Sequence, residues 1–368
     1  MYILGINTSH DSSTCLMKDG KILFLNSEDR FNRIKRYFLA KADISKTLLP
    51  SINEIKKYTD TIDYLAIGDL KGLPSAIWEK ILAEFFDAGI KVRQVYYEAS
   101  EHHVYHAYNG FYNSKFKDAT TIIMDGAGGV TSDPRYREIE TIYQCDNQRI
   151  KEIFKHSSSN HGGVMDTRSV DVFGALTLEK YKHQYKSNRI SVGMLFNELC
   201  WELGLGDGEN AGKLMGWSSY GVLDTEDSLW TEKLDDLLWI NLSTASLREV
   251  KSGKQLAPRN NTKYTFQEVA NIAKRLQHET KLYAINRIKL ALKLCNTSNI
   301  VLSGGYFLNC VNNYEYLKEF PDVNFYIDPI AWDAGTAIGI AMKVSKDLGI
   351  TLQPYESIYL GSTNDQYV

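Results

Sequence analysis

His102 and His106 stand four positions apart in the run Glu101-His102-His103-Val104-Tyr105-His106. On a helix that spacing puts both imidazoles on one face, where they can share a metal ion or form an ordinary surface or core pair. A zinc-protease motif carries Glu directly after the first His, so the His at position 103 excludes that reading. Asp125 closes an apolar run at 120–124 and opens Asp125-Gly126-Ala127-Gly128-Gly129. A carboxylate at a strand end followed by glycines suits a metal or phosphate, because glycine lets backbone amides approach an anion; a plain Gly-rich turn is spelled the same way. Ser303-Gly304-Gly305 leads on to Asn309 at a second strand-to-helix junction, without the GxGxxG of a dinucleotide fold. Asp333-Ala334-Gly335-Thr336 stands at another helix start, where Asp as an N-cap is the plain alternative. Lys213 lies in a Gly-flanked loop and can meet a phosphate or remain solvated. The polar segment 7–13 carries His10-Asp11 among hydroxyls and amides, a composition able to hold a phosphate or a metal-bound oxyanion. The charged run Glu28, Arg30, Arg33, Lys35 and Arg36 reads as an exposed helical face with i,i+3 ion pairs.

These groups fall at strand ends and helix starts, where ligands collect in α/β proteins. The elements that must position them are legible in outline. Residues 2–6, 14–18 and 21–25 read as strands, the last two joined by Asp19-Gly20, a type I′ turn signal. Further strands are expected at 62–67, 92–97, 120–124, 138–143, 149–154, 300–302 and 323–327. A strand, a polar or Gly-rich turn and a hairpin thus occur twice, near 2–28 and 120–154, as a duplication would produce. Helices are expected at 74–87 and at 334–348, and the region 160–300 reads as mainly helical. Its clearest helix, 264–294, opens on Thr265 and Glu268 in a capping box.

The chain has 368 residues, enough for about two domains or lobes. Its 42 basic and 45 acidic residues give a net charge of −3, which excludes a global basic field for nucleic acid. Five scattered cysteines without a CxxC point to buried thiols in a reducing, cytoplasmic compartment, and not to a disulfide or zinc–cysteine framework. The N-terminus is too short for a signal-peptide core, and no apolar run reaches the ~18 residues of a membrane helix.

Seven blocks in order resemble the NodU/CmcH-type carbamoyltransferase family: ILGINTSHDSS, EDRFNRIKR, EHHVYHAYNGFYNS, MDGAGG, GKLMGWSSYG, SGGYFLNCVNN and WDAGTAIGIAM. The resemblance covers nearly the whole chain. It implies an α/β, two-lobed actin/sugar-kinase/Hsp70-like fold with duplicated βββαβα-type lobes and a largely helical insertion. The expected division is a first lobe at 1–118, a second at 119–352 with the insertion at about 160–295, and a tail at 353–368 leading toward a YrdC-like domain that lies outside this chain. In such enzymes the YrdC-like domain makes carbamoyl-adenylate from carbamoyl phosphate and ATP, and the N-terminal domain moves the carbamoyl group to a hydroxyl, releasing AMP.

Carried over by position, His102, His106, Asp125 and Asp333 become ligands of a divalent metal, commonly iron. His10 becomes the base on the acceptor hydroxyl, with Asp11 orienting it or binding substrate. Lys213 neutralises the adenylate phosphate, and Gly126, Gly128, Gly129, Gly304, Gly305 and Asn309 hold the nucleotide. The family's proline is missing from Trp217-Ser218-Ser219-Tyr220-Gly221. Expected partners are a hydroxyl acceptor (a sugar, a secondary metabolite or a hydroxymethylated nucleobase in DNA), a separate YrdC-like subunit and a second copy in a homodimer, with no membrane. The rival readings are a tRNA threonylcarbamoyl-transferase, a non-catalytic nucleotide-binding scaffold and a sugar kinase.

Overall fold

A computed structural model describes residues 1–39, 43–70, 75–97, 101–159, 179–181, 183–206, 208–225, 230–234, 236–240 and 264–361. The chain begins with a meander of β1 (Tyr2–Asn7), β2 (Ser13–Lys18) and β3 (Lys21–Ser27). Asp19 and Gly20 have φ of 50° and 81°, the two positive values of a type I′ turn. One helical turn follows, α1 (Asp29–Asn32), and Arg33 ends it in the left-handed region at φ 61°. Arg36 is left-handed as well, at φ 53°. The charged run is therefore not a helical face: the two left-handed residues break the period that i,i+3 pairs need. Then come α2 (Ile44–Ile55), β4 (Thr61–Gly68), α3 (Ser75–Asp87), β5 (Lys91–Tyr97) and α4 (His102–Asn113). The first sheet has the order β3-β2-β1-β4-β5, antiparallel within the meander and parallel beyond β1.

The second half repeats this plan. β6 (Asp118–Met124), β7 (Arg137–Asp146) and β8 (Ile150–Ser158) form the meander. After them come β9 (Glu179–Tyr181), β10 (Gln184–Ser187), α5 (Val192–Glu202), α6 (Ala211–Trp217), β11 (Thr231–Leu234), β12 (Leu237–Ile240) and α7 (Phe266–Leu294). The chain finishes with β13 (Asn299–Ser303), α8 (Cys310–Glu319), β14 (Asn324–Ile327) and α9 (Thr336–Asp347). The second sheet is β14-β13-β6-β7-β8-β10-β9, with β13 and β14 parallel beside β6. Its first five strands have the same pairing as the whole first sheet, so the duplication is real. This is the two-lobed α/β fold of the actin and sugar-kinase type.

Among the described residues of the region 160–295 there are three α-helices but also four short strands, β9 and β10 on the sheet edge and the β11–β12 hairpin. Strands of three or four residues are too short to show an alternating pattern, which is why the sequence reads as helical there. Residues 160–178 and 241–263 of that region lie outside the described residues. The capping box is present: Thr265 accepts from the Glu268 amide, and Glu268 answers the Thr265 amide. Among the described residues no helix is long and apolar enough to cross a membrane.

α9 comes last in the chain yet packs on β1, β2 and β4 of the first sheet, while α4 packs on β6 and β13 of the second. The two helices pack on each other between the sheets. Their approach is close enough that a Cβ on Gly339 would fall 1.9 Å from the Tyr105 carbonyl. Ala337, Ile340 and Ala341 of α9 are buried with Ile3, Met17 and Ala66. β6 splits its apolar residues between faces: Ile123 is buried with Ala107 and Phe111 of α4, and Ile122 with Leu276 and Tyr283 of α7.

A buried ionic network joins α7 to this sheet. The Glu140 carboxylate accepts from Arg287 Nε at 2.9 Å and Nη2 at 3.0 Å, and from the Tyr283 hydroxyl at 2.9 Å. His156 Nδ1 lies 3.0 Å from the same carboxylate. Burial alone would raise the Glu140 pKa, but Arg287 holds it down at about 2. Arg287→Met should cost about 3–5 kcal/mol in urea unfolding, because it leaves a buried carboxylate without its cation. The Glu140 contribution is complete above pH 4.5, its ordinary value, and is lost as pH falls toward 2. The wild-type stability lead over the variant should shrink in that window.

Candidate metal centre

Four side chains converge where α4, β6 and the start of α9 meet. His102 and His106 lie on the first turns of α4, one helical turn apart. Asp125 follows the last residue of β6, and Asp333 opens the 3₁₀ turn that leads into α9. Asp333 makes no N-cap hydrogen bond, so the plain capping reading does not hold; its carboxylate turns toward the histidines instead. His102 Nε2 is 3.1 Å from Asp125 Oδ2, 3.4 Å from Asp333 Oδ1 and 3.1 Å from His106 Nε2. His106 Nε2 is 3.6 Å from Asp333 Oδ1. One donor atom from each of the four lies within 4.8 Å of the others, and all four residues are buried.

The donor set fits a divalent cation. Two imidazole nitrogens aimed at one point can share only one proton, and two carboxylates stand beside them. Buried negative charge of that size is costly unless a cation or protons offset it. With only protons available, burial pulls the His102 pKa down, but Asp333 and Asp125 overcome this and hold it at about 10. Both carboxylates are held well below the ordinary range by the histidines around them, although burial alone would raise them. His106 Nδ1 has no hydrogen-bond partner, so Nε2 is the nitrogen committed to the cluster.

The β1–β2 loop supplies the next layer. Ser9 Oγ donates to Asp333 Oδ2 at 3.2 Å, and Asn7 Nδ2 donates to the Asp333 carbonyl at 3.1 Å. His10 Nε2 lies 3.2 Å from Asp333 Oδ2, and its Nδ1 lies 2.8 Å from Asp11 Oδ2. Burial lowers the His10 pKa, but Asp333 and Asp11 overcome this and raise it. Asp11 adopts φ 56°, which folds its carboxylate back onto the ring. The loop therefore belongs to the cluster. The sequence marks the segment 7–13 as a whole, but the separate roles of Asn7 and Ser9 escape it because they are contacts across 326 and 324 positions of chain.

The glycines stand close by, and packing accounts for several of them. Gly304 has φ 96°, and a Cβ there would fall 2.4 Å from the Met124 carbonyl. A Cβ on Gly305 would lie 3.2 Å from Asp125 Oδ1, and one on Gly128 would lie 2.7 Å from His103 Nε2. The Gly126 amide donates to Asp125 Oδ1 at 2.7 Å, and the Gly129 carbonyl accepts from Glu138. Asn309 caps α8 through the Asn312 amide, and its side-chain amide pairs with Gln277 at 2.6 Å and 3.2 Å. Lys213 is not in a loop: it sits exposed on α6, a short helix anchored by buried Leu214. Arg30, Arg33 and Lys35 are exposed, whereas Glu28 is buried and accepts from Ser51 Oγ at 3.3 Å.

Two outcomes follow from this geometry. Asp333→Ala and His102→Ala should each lower first-row metal content after loading and gel filtration by more than the ~10–100-fold affinity loss typical of an outer partner such as Ser9. Burial pushes the Glu28 pKa up from 4.5 to about 8. Its ionisation therefore opposes folding, and the wild type loses stability as pH rises between those values. Glu28→Gln should gain on the wild type by about 1.4 kcal/mol per pH unit across that window, read from urea midpoints, and stay level above it.

Comparisons with known proteins place the chain in a family. Residues 70–342, about three quarters of the chain, match the family described as Carbamoyltransferase N-terminus. An uncharacterised protein of Synechocystis is 28% identical over 93% of this chain and 57% of its own length. The nodulation protein NolNO of Sinorhizobium fredii is 22% identical over 92% of this chain and 47% of its own. The chain thus spans about half the length of these relatives. A crystal structure of full-length HypF in its phosphate- and nucleotide-bound form superposes at TM-score 0.60, with 16% identity, over 98% of this chain and 56% of that one. That likeness shows the shared fold. The chain belongs to the carbamoyltransferase N-terminal family.

Proposed function

We propose that this member of the carbamoyltransferase N-terminal family is the transfer half of an O-carbamoyltransferase. Carbamoyl-adenylate, made elsewhere from carbamoyl phosphate and ATP by a YrdC-like unit, gives up its carbamoyl group here to an acceptor hydroxyl. The new bond joins the acceptor oxygen to the carbamoyl carbon. The bond from that carbon to the phosphate oxygen breaks, and AMP leaves with the electron pair. The acceptor class is a sugar, a secondary-metabolite alcohol or a hydroxymethylated base, and the compartment is the cytoplasm.

The observation that carries this reading is the convergence of His102, His106, Asp125 and Asp333 beside the His10–Asp11 pair. The four would hold a divalent first-row metal, iron by family likeness, and such an ion polarises a carbonyl as a Lewis acid. In this reading His10 takes the hydroxyl proton, which is supported by Asp11 beside Nδ1 and by Nε2 facing the cluster. Ser9 and Asn7 hold Asp333 in place, so that its carboxylate faces the histidines. The Gly126–Gly129 turn, Gly304, Gly305, Asn309 and Lys213 remain the proposed nucleotide side of the cleft.

The test is product analysis. The chain, loaded with iron, is mixed with ATP, carbamoyl phosphate and candidate alcohols, with and without a separately expressed YrdC-like protein. AMP, pyrophosphate and carbamoylated acceptor should appear only with both proteins. His102→Ala and His10→Ala should each lower transfer by on the order of 10²-fold or more. ADP as the nucleotide product would assign a kinase instead, and transfer unaffected by His102→Ala would leave the chain as a scaffold.

A further inference from the structure

Arg137, the first residue of β7, is only 7% exposed, yet its guanidinium makes no hydrogen bond or ion pair with any described residue. Its neighbour Arg135 behaves as a surface arginine should, largely exposed and bound to Asp133 at 2.7 Å. A guanidinium carries five N–H donors, and those of Arg137, still within reach of solvent, are held by no acceptor among the described residues. A cation whose side chain is largely enclosed while its donors meet only water can exchange that water for an acceptor that arrives from outside.

Arg137 stands where three site-bearing segments meet. Its backbone pairs with Val130, and the Val130 amide donates across the lobes to the Leu70 carbonyl at 3.1 Å. The next residue, Glu138, exchanges backbone hydrogen bonds with Gly129 and Gly128, which fastens β7 to the turn that begins at Asp125. The counter-charge facing Arg137 is Asp69, just past β4. Asp69 in turn accepts from Thr8 Oγ1 at 2.8 Å, two residues before His10. The cation is thus attached, through short lengths of backbone, to the β1–β2 loop and the Asp125 turn.

We propose that Arg137 is the phosphate receptor of the cleft, binding the phosphate of the carbamoyl-adenylate and of the departing AMP against the pull of the nearby Asp69 charge. This rests on the transfer reading above. A fork of N–H donors suits the paired oxygens of a phosphate, and a point charge such as Lys213, exposed on its helix, does so less well. Asp69 competes with the incoming anion and keeps affinity moderate, so that AMP can leave.

The experiment uses the full chain, freed of metal by chelation so that phosphate cannot bind through an ion. AMP, adenosine and inorganic phosphate are titrated calorimetrically. Arg137→Gln should weaken AMP and phosphate by about tenfold or more while leaving adenosine unchanged. Arg137→Lys should recover part of the phosphate affinity, and Asp69→Asn should tighten AMP. Equal loss for AMP and adenosine would show a structural role only and overturn the proposal. So would unchanged AMP affinity in Arg137→Gln, or a wild type that binds neither phosphate nor AMP. Failure of the transfer reading has its own signature: no AMP in the reconstituted assay, whatever the binding titrations give.

Discussion

The close crossing of α4 and α9 is the constraint on which the rest of this structure depends. Gly339 admits the Tyr105 carbonyl where any side chain would collide with it. That contact fixes the distance between a helix belonging to the second sheet and one belonging to the first. His102 and His106 project from the former, and Asp333 precedes the latter. A shift of one ångström at the crossing would spread donor atoms that now lie within 4.8 Å. The cost of gathering two carboxylates in a buried space is met by packing elsewhere: apolar residues of α9 against β1 and β2, and of α4 against β6 and β13.

The glycine-rich segments serve this arrangement as much as they serve any ligand. Gly304 lets the chain after β13 pass against the Met124 carbonyl, one residue before Asp125. Gly305 and Gly128 leave room for the Asp125 carboxylate and the His103 ring. A glycine read from sequence as an amide donor to phosphate is here also a spacer that lets the protein close on its own carboxylate. Asn309 shows the same double duty, since it caps α8 and is paired with Gln277.

Much of the fold could be read from local chemistry. The Asp19-Gly20 turn, the Thr265–Glu268 capping box and the apolar run of β6 are each decided by neighbours in the chain. The duplication followed from the repeated strand, turn and hairpin. What could not be read was decided at long range. The short strands β9 to β12 take their form from the sheet edge and from each other. Lys213 looked like a loop residue because Gly212 and Gly216 flank it, but Leu214 is buried and winds the segment into α6. Arg137 carried no signal at all. A lone arginine at a strand start is ordinary, and only its burial without a partner sets it apart.

The three histidines of α4 show how finely such a site is divided. His103 is adjacent to His102 in sequence but about 100° away around the helix axis. There its Nδ1 meets Thr141 Oγ1 at 2.8 Å and its backbone amide donates to Glu138. Burial pulls its pKa down to about 4, whereas His102, facing Asp333 and Asp125, is held near 10 despite equal burial. The same side chain is thus neutral on one face of the helix and cationic on the other, in the absence of metal. Residue type alone cannot assign a ligand here. The assignment comes from which carboxylates the fold brings to each face, and that depends on a glycine more than two hundred residues downstream.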